Sequence, residues 1–223
     1  MTVDWQALAL SLQLAVVTAA IMLPLSIWAG RTLAWRQFAG KAWVEALVAL
    51  PLVLPPTVLG YYLLTVFAPD AALGGLVERL SGVRLAFSFE GLVLASILFN
   101  LPFAIQPAQR AFEAIPQEVR EAAWLCGMSE WRTLWRVELP LAWPGVLTAL
   151  VLTFAHTLGE FGVVLMIGGN IPGETKTIAI AIYDRVQAFD DRAAGVMSGL
   201  LLAISFVAIA TVYWFDRLRR RHG

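Results

Sequence analysis

Residues 7–29 read ALALSLQLAVVTAAIMLPLSIWA, 23 positions without one Asp, Glu, Lys or Arg. At 1.5 Å of rise per residue, such a run crosses the roughly 30 Å hydrocarbon layer of a bilayer as a helix. Four further stretches share this character, at about 42–67, 88–106, 141–168 and 194–215. All are too long for the strands of a membrane barrel, which are about 10 residues each and alternate. The sequence therefore predicts an all-α fold: a polytopic bundle of about five membrane helices, forming a single domain over residues 1–223. Composition agrees. The chain is 59% hydrophobic and 14% charged, against about 45–50% and about 25% for soluble domains. Sixteen basic and sixteen acidic residues cancel, so no net field draws nucleic acid, and none is expected as a partner. The flank Met1-Thr2-Val3-Asp4 has an acid and no Lys or Arg, unlike a cleaved signal peptide.

The second stretch carries Pro51, Pro55 and Pro56 in its middle. Proline removes a donor from the helical ladder, so this span is expected to kink or split. Two readings stay open: a packing kink, or a bend that shapes a pathway. Asn100 and Pro102 invite the same pair of readings in the third stretch.

Basic residues mark the cytoplasmic side of short loops. Arg31, Arg36, Lys41, Arg110, Arg120, Arg132, Arg136, Arg217, Arg219, Arg220 and Arg221 fall on one side. Arg79, Arg84, Lys176, Arg185 and Arg192 fall on the other. This split puts the N-terminus outside and the C-terminus in the cytoplasm, and makes the basic tail a topology anchor against membrane lipid. Cys126 then lies in a reducing compartment as a small apolar residue.

The loop at about 107–140 is the most informative segment. Pro116 and Glu118 suit a helix start, and Gly127 suits the left-handed position after its end. Val119, Ala122, Ala123 and Cys126 recur at three- and four-residue steps as one small-residue face. A partner could approach this face closely, with Glu121 fixing the register. Ser129 caps a second short helix with Glu130 in its first turn. The competing reading is a solvated connecting loop.

Glu121-Ala122-Ala123, then three residues, Gly127, nine residues, Val137, one residue and Leu139-Pro140 resemble the EAA loop of binding-protein-dependent ABC importer permeases. Only Val137, in place of Ile, departs from that pattern. The stretches Leu50 to Gly60, Leu158 to Gly162 and Asn170 to Thr175 resemble the molybdate branch of that family. The resemblance implies a coupling role for Glu121, Ala122, Ala123 and Gly127 against an ATPase. It further implies a homodimer of this chain with two ABC ATPase subunits in the inner membrane. An extracytoplasmic molybdate-binding protein would dock on loops 69–87 and 169–193, and the cargo would be molybdate, tungstate or sulfate.

No nucleotide motif is present: Gly168 to Gly173 is followed by Glu174 where a phosphate loop needs Lys. ATP and Mg are thus expected on the ATPase, with no cofactor, metal or catalytic residue on this chain. His156 and Glu160 lie four apart in the fourth stretch, on a shared helix face with Thr153. Ionisable groups in a bilayer are costly and functional by default. Thr57, Thr153, His156 and Glu160 are therefore the candidates for the path or gate. Since a carboxylate repels a dianion, Glu160 reads better as a structural or gate-stabilising partner. Two rivals stand beside the transporter: a membrane-embedded lipid enzyme built on His156 and Glu160, and a non-transporting scaffold for an ATPase.

Overall fold

The computed structural model describes residues 3–220, with side chains of 212–213 and 215–220 excepted. The side chains of Arg217, Arg219 and Arg220, and all of Arg221, lie outside the described residues. Every regular element described is helical. In chain order they are α1 (Trp5–Trp35), α2 (Lys41–Val53), α3 (Pro56–Phe67), α4 (Ala72–Ser81), α5 (Phe89–Glu113), α6 (Gln117–Leu125) and α7 (Glu130–Thr133). After a π-helical turn (Leu134–Glu138) come α8 (Leu139–Gly159), α9 (Gly162–Gly168), α10 (Ile178–Gln187) and α11 (Asp191–Arg220).

Four helical segments are long and apolar enough to cross a membrane: Trp5–Trp35, Phe89–Glu113, Glu130–Gly159 and Asp191–Thr211. The α2–α3 pair makes a fifth if counted as one span, and it bends by 113°. The proline-rich middle of the second stretch has therefore split it outright. Leu54 and Pro55 take extended backbone angles, and Pro56 begins the new helix where its missing N–H costs nothing.

The fourth stretch departs from expectation. It is not one helix over 141–168, because α8 stops at Gly159 and Glu160 is extended (φ −71°, ψ 132°). The assumed common face of His156 and Glu160 is thereby lost. No proline marks this break. Its signals are the glycines on either side, Gly159 and Gly162. The segments 69–87 and 169–193, read as loops, carry the helices α4 and α10.

Three long helices, α1, α5 and α8, pack on one another at the centre. Lipid tails are as apolar as leucine, so close fit rather than apolar burial holds membrane helices together. Small residues supply that fit: a methyl group at Gly30 of α1 would stand 2.9 Å from the Ala108 Cβ of α5. Around one end of the bundle the core is Leu14, Leu92, Phe99, Val163 and Ile167. Around the other it is Ala108, Phe112, Leu139 and Val146, with Trp35 set edge-on to Phe112.

Candidate functional site

The loop that follows α5 folds as its caps dictate. Pro116 is the N-cap of α6 and sets its start at Gln117. Gly127 has φ +75°, the left-handed angle that ends a helix cheaply only at glycine. The Met128 N–H then bonds the Ala123 carbonyl at 3.1 Å and closes the end. Ser129 Oγ accepts the Arg132 N–H at 3.3 Å and starts α7.

The orientation of α6 sharpens the small-residue face. Val119, Glu121, Ala122 and Cys126 are exposed, whereas Ala123 is buried against the body. Leu125, not singled out from the sequence, is 90% exposed. Glu121 accepts from Gln117 Nε2 at 2.6 Å and stays at the surface. The outward side of α6 thus combines shallow apolar groups with two exposed carboxylates, Glu118 and Glu121.

Glu138, one of the acids of this loop, lies deeper than the half-buried Glu160. In the structure Glu138 is fully buried (0% exposed). Arg31 donates Nε to its Oε2 at 2.6 Å and Nη2 to its Oε1 at 3.3 Å. Arg120 donates Nε to Oε1 at 3.2 Å. The Arg120 guanidinium also lies 3.6 Å from the Trp35 ring centroid and 5.0 Å from that of Trp124. Neither arginine is near Glu138 in the chain, so periodicity could not have found this cluster.

The two helix breaks meet. A methyl group at Gly162 would stand 2.8 Å from Pro56 Cβ, and one at Gly60 would stand 2.7 Å from Met166 Cβ. The start of α9 therefore lies on the start of α3. Glu160, at the second break, accepts the Val163 N–H at 3.0 Å through Oε1. It is half-buried and caps α9, a favourable place for an anionic side chain. Thr57, in the first turn of α3, is exposed.

His156 and Thr153 belong elsewhere. Asn100 is fully buried and donates Nδ2 to the Ser96 carbonyl at 2.8 Å and to Thr157 Oγ1 at 2.9 Å. Its Oδ1 faces His156 Nδ1 at 3.1 Å. With the amide nitrogen committed to acceptors, Nδ1 of His156 must carry the proton in this contact. Phe103 stacks on the ring at 3.9 Å and Phe99 meets it edge-on at 5.3 Å. Thr153 Oγ1 is buried without a hydrogen-bond partner. Of the four candidates, then, Thr57 and Glu160 share the paired breaks, while His156 and Thr153 lie in the α5–α8 core.

The stretch Asn170 to Thr175 is a locked turn. Thr175 Oγ1 donates to the Gly168 carbonyl at 2.6 Å and accepts the Ile171 N–H at 3.2 Å. Asn170 Nδ2 reaches both carboxylate oxygens of Asp184, which also pairs with Lys176 at 2.8 Å. Partial burial pushes the Asp184 carboxyl up, but the bonds from Lys176 and Asn170 and the charges of Lys176 and Arg185 outweigh it. The result lies below the ordinary value. Among the described residues, no three His, Cys, Asp or Glu side chains are grouped to hold a metal ion.

A family model described as "Binding-protein-dependent transport system inner membrane component" matches residues 22–221. The molybdenum transport system permease protein ModB of Azotobacter vinelandii is 45% identical over 97% of this chain and 96% of its own length. ModB of Escherichia coli K12 is 34% identical over 99% and 96%. A probable sulfate transport system permease of Chlorokybus atmophyticus is 33% identical over 86% and 68%. A solved bacterial ABC transporter for alginate import superposes with a TM-score of 0.74 at 18% identity, covering 97% of this chain and 78% of that one. The methionine transporter MetNI, facing inward, gives 0.68 at 18% identity over 97% and 93%. The chain therefore belongs to the family of inner membrane components of binding-protein-dependent transport systems.

Proposed function

We propose that this chain is the permease subunit of an ATP-driven ABC importer that carries molybdate across the cytoplasmic membrane. The observation that carries the substrate is the 45% identity, over nearly both full lengths, to a molybdenum transport permease. Two copies of the chain form the path, and two ATPase subunits bind ATP and Mg. An extracytoplasmic binding protein delivers the anion. The N-terminus lies outside, and the α6 loop faces the cytoplasm.

Coupling falls to Glu121, Ala122, Ala123 and Gly127. Ala122 and Glu121 are on the exposed strip and meet the ATPase, Ala123 seats the helix, and Gly127 sets its end. Thr57 offers a hydroxyl to the anion, and Glu160 stabilises the adjoining gate by capping α9. His156 and Thr153 shape the wall behind them. A weakly polar route suits a hydrated dianion, since a tight site would hold it.

Exposed Ala122 is the sharpest test. A tryptophan there would wedge the coupling surfaces apart without touching the bundle. Uptake should fall at least about tenfold, the range of coupling free energies between sites, while membrane insertion stays normal. Unimpaired ATP-driven uptake would remove the coupling assignment.

A second reading is sulfate, favoured by the 33% identity to a sulfate permease. Uptake into vesicles containing this chain, the ATPase and the binding protein separates the two. Labelled molybdate should accumulate with ATP and be competed by tungstate far better than by sulfate. Accumulation of sulfate alone would overturn the molybdate assignment.

A further inference from the structure

We infer that Glu138 is the joint through which the α6 helix drives the first span: it locks α6, α1 and α8 into one moving body. This rests on the reading of α6 as the ATPase contact. It assigns positioning roles to Glu138, Arg31 and Arg120, none of which belongs to the EAA pattern.

The argument starts from how little else holds α6. It has nine residues, and only Ala123 among them is buried. One buried methyl is a weak anchor. A helix pushed by a partner would slide over such a contact and waste the stroke. The arginine–glutamate cluster supplies the missing stiffness. Arg120 projects from α6, Arg31 from α1, and Glu138 from the turn that runs directly into α8. All three meet at one carboxylate with no solvent exposure. In such surroundings an ion pair resists separation much more than at a wet surface, because breaking it strands a charge. Arg120 is held a second time by the face of Trp35, itself the last residue of α1. The tie from α6 therefore goes to α1 twice, by charge and by cation–π contact.

The π-helical turn makes the arrangement possible. The Leu139 N–H bonds the Leu134 carbonyl five residues back. The turn thus holds one more residue than an α-helical turn, and that extra residue turns Glu138 by about 100° relative to an unbroken α-helix.

Arg120→Gln tests the joint, because it frees α6 while leaving the Arg31–Glu138 pair intact. The full complex of this chain, ATPase and binding protein in vesicles is assayed for molybdate uptake per ATP hydrolysed. A merely structural contact would change yield or thermal stability but not this ratio. The ratio should fall at least about fivefold, with ATP still hydrolysed. An unchanged ratio overturns the joint.

If that variant fails to assemble, a distance measurement on the natural cluster decides. A spin label on Cys126, the sole cysteine, is paired with one at Trp28→Cys on exposed α1 surface. The separation should stay constant between nucleotide-free and ATP-bound states. A shift of several ångströms would mean that α6 moves independently of α1. Failure of the loop reading looks different: there Ala122→Trp itself transports normally.

Discussion

Glu138→Ala is expected to lower the stability of the folded chain by roughly 3–5 kcal/mol, the usual cost of removing one partner from a buried ion pair. The magnitude follows from what remains. Arg31 and Arg120 keep their charges, are only 20% and 15% exposed, and lose their common acceptor. A surface ion pair such as Arg84–Glu78, screened by solvent, contributes far less by comparison. Loss of monodisperse protein after mild heating in detergent would register the difference. Replacing all three residues with apolar ones (Arg31→Met, Arg120→Leu, Glu138→Leu) should recover most of the loss, since the desolvation cost disappears with the charges. A Glu138→Ala protein that melts with the parent would show that the carboxylate is not holding the loop.

Gly91→Ala should be the most damaging single methyl addition in the described chain. The new Cβ would overlap the carbonyl oxygen of Leu85, a backbone atom with no rotamer to escape into. The approach is close because segment 85–88 folds over the first turn of α5. Ser88 Oγ accepts the Gly91 N–H at 3.1 Å and donates to the Leu85 carbonyl at 3.1 Å. The same segment holds Phe87 at φ +58°, a strained angle for an aromatic residue, and its N–H bonds the Ile167 carbonyl at 2.9 Å. Pushing it outward would break the link to α9. The expected cost is about 1–3 kcal/mol or more, read as a lower melting temperature. Gly199→Ala is the control: nothing lies within 4 Å of its added methyl, and in mid-helix it should stabilise slightly. Equal behaviour of the two variants would show that segment 85–88 does not press on α5.

Much of this was legible in the sequence because the signals are local. Apolar runs gave the long helices, Pro55-Pro56 gave the first break, and Gly127 and Ser129 gave the ends of α6 and α7. The EAA spacing pointed to the family. The second break was missed because glycines permit an interruption without requiring one. The partners of Glu138 were missed for a different reason. Arg31 is 107 residues away, and nothing in a linear pattern distinguishes a charge that will be buried from one that will stay wet. The same holds for Ala122 and Ala123: adjacent alanines on a helix differ only in which way the rest of the fold turns them.

The π-helical turn also constrains how the chain can change in length. Exposed loops generally tolerate gain or loss of a residue. Removing one residue within 134–138 would let Leu139 pair four back instead of five. Everything before it would then be dialled about 100° around the α8 axis. The loop would remain as soluble and as helical as before, but its phase would be wrong. Its length is therefore an angular setting, and residue number in this segment is constrained alongside the identity of Glu138.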